Sequence, residues 1–120
     1  MLHLSAAEFD RVVEDALRKI PRRFRRLLDN TVLVVEQHPP RPGLLGLYHG
    51  RPRTMRNVSD SFSMPDQITI YQSTHERLAR TRAELEQMVA DTVWHEVFHA
   101  FGASEPRVRQ AERRRAATRP

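Results

Sequence analysis

His95 and His99 stand four residues apart with Glu96 between them, in the run His95-Glu96-Val97-Phe98-His99. Residues four apart share one face of a helix. Two imidazoles so placed can close on a single divalent ion without bending the backbone. Glu96 lies one step round the same helix, beside the ion rather than on the ligand axis. A general base belongs there, within reach of a water activated by the ion. The pattern is that of metal-assisted hydrolysis. The competing reading is an exposed helix with two histidines and an ordinary surface glutamate, so the neighbouring residues decide.

Downstream, the run continues through Ala100, Phe101, Gly102, Ala103, Ser104 and Glu105. Gly102 suits the left-handed position that ends many helices, and a helix stopped there turns the chain back towards the ion. Glu105 then brings a carboxylate, a competent zinc ligand, six residues after His99. Two His and one Glu leave the fourth tetrahedral position open, which separates catalytic from structural sites. A solvated Glu105 before Pro106 is the alternative.

Upstream, Thr81-Arg82-Ala83-Glu84 has the form of a capping box. Leu85, Met88, Val89, Thr92, His95, Glu96 and His99 follow at three- and four-residue steps, and Trp94, Val97, Phe98 and Phe101 make the other flanks apolar. A helix apolar nearly all round is central and buried. The spacing therefore predicts that the histidine face continues the buried face. Unpaired imidazoles are costly there and an ion is their simplest partner, with a hydrogen-bonded core histidine as the alternative.

This segment resembles the minimal zincin-like metallopeptidases of bacteria, short single-domain proteins with the pattern H-E-x-x-H-x-x-G-x-x followed by an acidic residue. The likeness extends to Leu44-Leu45-Gly46-Leu47-Tyr48-His49-Gly50, similar to a loop of that family, and to Pro65-Asp66-Gln67-Ile68-Thr69-Ile70-Tyr71, similar to its strand. It covers most of residues 5–106. The resemblance implies an α+β fold, a small twisted sheet packed against the central motif helix and an N-terminal helix. It also implies one zinc ion at His95, His99 and Glu105, Glu96 as base, and hydrolysis of peptide bonds in an extended peptide or protein substrate. Larger metzincins share the H-x-x-G-x-x spacing, but their third ligand is histidine, and this chain has no methionine beyond Met88 for their downstream turn.

Several elements must position these residues. Ser5-Ala6-Ala7-Glu8 is a second capping box, and Phe9, Val12, Val13, Ala16, Leu17 and Ile20 give the stripe of a helix that Pro21 ends. The basic run Arg22–Leu28 reads as a solvated turn with Phe24, Leu27 and Leu28 in the core; a nucleic-acid patch is the alternative. Thr31–Glu36 is β-branched and predicts a strand buried on both faces. His38-Pro39-Pro40-Arg41-Pro42-Gly43 breaks it. Residues 44–66 predict a long loop in which Leu45, Leu47 and Tyr48 can form a short strand. Ile68–Tyr71 predicts a second strand, taken as the exposed edge to which an extended substrate adds. Tyr71 or Tyr48 is a candidate donor to the oxyanion of the reaction, with a half-buried core tyrosine as the alternative. His3 is expected to be exposed, and no spacing ties His38, His49 or His75 to the site.

At 120 residues the chain has the length of one domain, read as a domain at 1–106 and a basic tail at 107–120. It has no cysteine, so disulfides and thiolate metal sites are excluded and zinc must use histidine and carboxylate. No signal-peptide run and no span of roughly 20 apolar residues is present, which predicts a cytoplasmic protein outside the membrane. The net charge of +5 lies in the tail, where Arg107, Arg109, Arg113, Arg114, Arg115 and Arg119 face only Glu112. The rest of the chain is neutral. The tail reads as a solubilising terminus, disordered or a frayed helix; contact with nucleic acid, an acidic partner or a phosphate surface is the reading not favoured.

Two other functions fit the same ligands. Zinc endoribonucleases of bacteria use H-G-x-x-H-x-x-G-x-x-H, with glycine where this chain has Glu96 and histidine where it has Glu105. A zincin scaffold that holds metal and binds a partner without cleaving it is the other. Iron, cobalt and manganese also accept histidine and carboxylate.

Overall fold

The structure is a computed structural model in which residues 2–50, 66–102 and 106–118 are described. Helix α1 (Ala6–Arg18) starts at Ser5, whose hydroxyl accepts the Glu8 N–H at 3.1 Å while Glu8 Oε1 accepts the Ser5 N–H at 3.0 Å. The reciprocal box read from the sequence is therefore formed. Pro21 ends this segment, and α2 (Arg22–Arg25) with a 3₁₀ turn (Arg26–Leu28) carries Phe24 into the core.

Strands β1 (Thr31–Glu36), β2 (Gly46–His49) and β3 (Asp66–Tyr71) form one mixed sheet in the order β1-β3-β2. Strand β3 runs parallel to β1, from Thr31↔Asp66 to Glu36↔Tyr71, and antiparallel to β2, from Gly46↔Ile70 to His49↔Gln67. Two expectations are corrected here. Residues 68–71 are not an edge: they lie in the central strand, with Ile68 and Ile70 on one face and Thr69 and Tyr71 on the other all buried. Strand β1 is an edge and is only partly covered, with Val32 45% exposed. A β-branched run reports strand propensity; which strand is flanked on both sides depends on pairing partners distant in the chain.

Helix α3 (Gln72–Leu78) follows β3 directly, and α4 (Arg82–Phe101) carries the motif. Thr81 caps α4, its hydroxyl accepting the Glu84 N–H at 3.1 Å. The core joins Phe9, Val12 and Val13 of α1, Leu85, Val89, Val93 and Val97 of α4, and Ile68 and Ile70 of β3. Each such large side chain contributes about 1.5–3 kcal/mol by leaving water. Helix α4 is thus central, held by α1, by α3, by the sheet and by α5 (Pro106–Thr118).

Within the segment read as a tail, residues 106–118 form α5, which is anchored by the fully buried Val108 and by the Arg115–Asp91 ion pair. Gly102 also differs from expectation. It has right-handed backbone (φ −59°) and donates its N–H to Phe98 O at 2.6 Å. Space rather than φ favours glycine there, since a Cβ would come within 2.8 Å of the Phe98 ring. Among the described residues no helix is long and apolar enough to cross a membrane.

Candidate metal centre

On α4 the His95 and His99 rings have centroids 4.5 Å apart. One ligand atom from each of His95, Glu96 and His99 lies within 4.8 Å of the others. The helical spacing thus brings these three together. Glu105 lies outside the described residues.

The two imidazoles are exposed, against the expectation of a buried face; only Glu96 is buried, at 4% exposure. The reason is visible along α4. Val89, Val93, Trp94, Val97 and Phe101 supply the packing faces, and the stripe Met88, Asp91, Thr92, His95, Glu96 and His99 forms one wall of an open cavity of about 760 Å³. The opposing wall comes from Leu44, Leu45 and β2, and the rim from Arg41, Glu112 and Arg115.

Glu96 Oε1 is buried without a hydrogen-bond partner and lies 3.5 Å from His99 Nδ1, too far for that nitrogen to satisfy it. A buried polar atom left so costs about 1–3 kcal/mol. Such an atom beside two imidazoles open to a cavity is placed to accept from a water that a divalent cation would hold. Two exposed imidazoles with a carboxyl beside them suit zinc and its neighbours. The residues present therefore fit a metal.

Residues 24–115 match the zincin-like metallopeptidase family. The chain belongs to that family. Among solved structures, a conserved hypothetical protein from Thermus thermophilus is similar at 26% identity and a TM-score of 0.59, over 82% of this chain and 95% of that one. No curated protein matches significantly. The α+β architecture, with a three-stranded mixed sheet against the motif helix, is that of a minimal zincin-like domain.

In this zincin-like domain the layer behind Glu96 is the part that spacing did not disclose. Gly46 of β2 sits so close to α4 that an added Cβ would lie 2.8 Å from Thr92 Cγ2 and 3.3 Å from Glu96 Cγ. Thr92 is itself held, its Oγ1 2.9 Å from His75 Nε2 and 2.9 Å from Met88 O. His75 is fully buried, with Nδ1 2.7 Å from Tyr71 O. A carbonyl only accepts, so Nδ1 carries the proton, and in the neutral ring Nε2 competes with Met88 O for the single Thr92 hydroxyl proton. The sequence signals for this layer were Thr92 on the α4 stripe and the glycine in the Leu44–Gly50 run; no spacing tied His75 to the site.

Burial lowers the His75 pKa, opposed by its bond to Tyr71 O. The unfolded chain thus takes up this proton near pH 6.5 and the folded chain only at lower pH. The contribution to stability is complete above that value and is lost as pH falls towards the folded pKa. Urea unfolding of metal-free protein is expected to show a steeper loss below neutral pH than the His75→Asn variant shows. Parallel pH profiles would remove His75 from the account.

Of the two tyrosines read as oxyanion donors, Tyr48 is engaged elsewhere and Tyr71 is buried. Tyr48 lines the cavity but donates its hydroxyl to Asp66 Oδ2 at 3.1 Å. Tyr71 is buried, and burial, with the Glu36 and Glu96 charges behind it, raises its pKa and keeps it protonated. His38 Nδ1 meets Ser73 Oγ at 3.2 Å, His49 is exposed at the end of β2, and His3 is exposed as expected.

Proposed function

We propose that this protein is a zinc-dependent peptidase in which His95, His99 and Glu105 hold one ion and Glu96 is the general base. The observation carrying this reading is Glu96, a buried carboxyl with one unpartnered oxygen beside His99, on the wall of a cavity large enough for a peptide segment. A divalent ion bound there supplies a lowered pKa for water and a polarised scissile carbonyl. Glu96 accepts a proton from the attacking water as the C–O bond forms. The same carboxyl delivers that proton to the amide nitrogen as the C–N bond breaks. His95 and His99 would hold the ion through one ring nitrogen each.

Since β3 is paired on both sides, β2 offers the edge for an extended substrate among the described residues. Leu44, Leu45, Leu47, Met88 and Trp94 give the cavity an apolar wall. A leucine or phenylalanine next to the scissile bond should therefore be preferred over aspartate by about tenfold or more in kcat/KM, the scale of one apolar pocket. Quenched fluorescent peptides varied at the flanking positions measure this; equal turnover of acidic and apolar peptides would remove the pocket from specificity.

Metal content by elemental analysis tests the reading as a whole, wild type beside His99→Ala. About one zinc per chain is expected in the wild type, the ratio for one catalytic site, and loss of it in the variant. A wild-type protein that takes up no metal from excess zinc would overturn the proposal. Metal binding with no hydrolysis of any peptide would leave a binding module in its place.

A further inference from the structure

Two arginine-rich segments from opposite ends of the chain meet in the fold. Arg23 of α2 and Arg107 and Arg114 of α5 line one shallow groove of about 230 Å³, together with Gln110 and Ala111. No carboxyl lines this groove among the described residues. Among those residues, none of the three arginines is ion-paired. The Arg23 guanidinium is fixed 4.7 Å over the Phe24 ring. Like charges gathered without counter-charge repel one another, and an anion relieves the repulsion.

The groove is distinct from the metal cleft. Helix α5 turns 100° per residue, so 107, 110, 111 and 114 share one face, while Val108, Glu112 and Arg115 point about a third of a turn away, to α4 and the cavity. Along that face Arg107 and Arg114 are about 10 Å apart, two helical turns. This spans about three phosphate steps along one strand of a duplex.

Three features choose the ligand. Every charge is a guanidinium, whose planar fork matches phosphate oxygens bidentately. The large hydrophobic residues exposed among the described ones are Val32 and Leu78, on β1 and α3, so this face has nothing to insert into a lipid surface. Phe24 is buried, so the groove offers no ring for a base to stack on. We propose that this groove binds the phosphodiester backbone of nucleic acid, without reading its sequence. The site is independent of the metal centre.

The test is fluorescence anisotropy of a labelled duplex oligonucleotide of mixed sequence with metal-free protein across a salt series. Three phosphate contacts give a slope of log K against log salt of about −3. The Arg23→Ser/Arg107→Ser/Arg114→Ser variant is expected to lose affinity at low salt about tenfold or more and most of that slope. The variant Arg11→Ser/Arg77→Ser/Arg80→Ser removes the same charge from exposed positions elsewhere and is expected to keep both. Equal losses in the two variants would reduce the effect to net charge and overturn the site, as would no binding by the wild type at low salt. Displacement of the oligonucleotide as readily by polyglutamate, or by phosphatidylglycerol vesicles, as by unlabelled oligonucleotide would assign the groove to an acidic protein or a membrane and overturn it also.

Discussion

Glu96→Gln is expected to leave a folded protein that still takes up metal and, on the proposed reading, to slow peptide hydrolysis by about 10²–10⁴-fold, the usual contribution of a positioned general base. The amide matches the carboxyl in shape and cannot take the proton from water. Folding should not suffer, because Oε1 has no hydrogen bond to lose. The amide stays polar but carries no charge to desolvate, so the metal-free variant should unfold at or above the wild-type temperature. His99→Ala behaves oppositely: an exposed ligand is lost, stability is unchanged and the ion is gone. The comparison needs elemental analysis, thermal unfolding and a peptide assay on both variants. Wild-type turnover by Glu96→Gln would end the proposed mechanism, and loss of metal by the same variant would make Glu96 a ligand instead.

Gly46→Ala is expected to cost about 1–3 kcal/mol, the range for overpacking a well-filled site. The new Cβ would stand 2.8 Å from Thr92 Cγ2, 3.2 Å from Thr69 O and 3.3 Å from Glu96 Cγ. The methyl of Thr92 cannot simply rotate away, because its hydroxyl is engaged by His75 and by Met88 O. Strand β2 and α4 must therefore separate, and Glu96 moves with the helix. A displacement near 1 Å at a catalytic group can cost about 10² in rate. Thr92→Ser offers a rescue, since it deletes the obstructing methyl and keeps the hydroxyl. In a double-mutant cycle by urea unfolding, Gly46→Ala with Thr92→Ser should recover a large part of the loss. Additive effects of the two substitutions would show that the contact does not limit the approach of β2.

The sequence disclosed the parts of the site that lie on one helix and little of what faces them. Thr81 and Glu84 marked the start of α4, and the four-residue step of the histidines put their rings together because a helix has one geometry. Strands β1 and β3 were legible as β-branched runs, and β2 only as a short strand possible within a predicted loop. Their order was not, because Thr31–Glu36 is the more apolar run yet lies at the edge, while the more polar Asp66–Tyr71 takes the centre. Burial of Asp66, Thr69 and Tyr71 is set by neighbours far away in the chain. The same limit explains the histidines. Periodicity identified a stripe shared by Leu85, Thr92 and His99, but it carries no information on whether the facing element closes on that stripe or stands back from it. Helix α5 was hidden by composition: thirteen residues rich in arginine are held by one buried valine and an ion pair to Asp91.

The exposure of the two imidazoles has a further consequence. The core closes through Phe9, Leu85, Val93, Val97 and Ile70, while the two imidazoles stay exposed outside it. If the proposed ion binds there, the chain is expected to fold first and to be charged with metal afterwards. In this it is unlike a zinc finger, whose metal-binding energy is its folding energy. A chelator should return a folded, reloadable apoprotein.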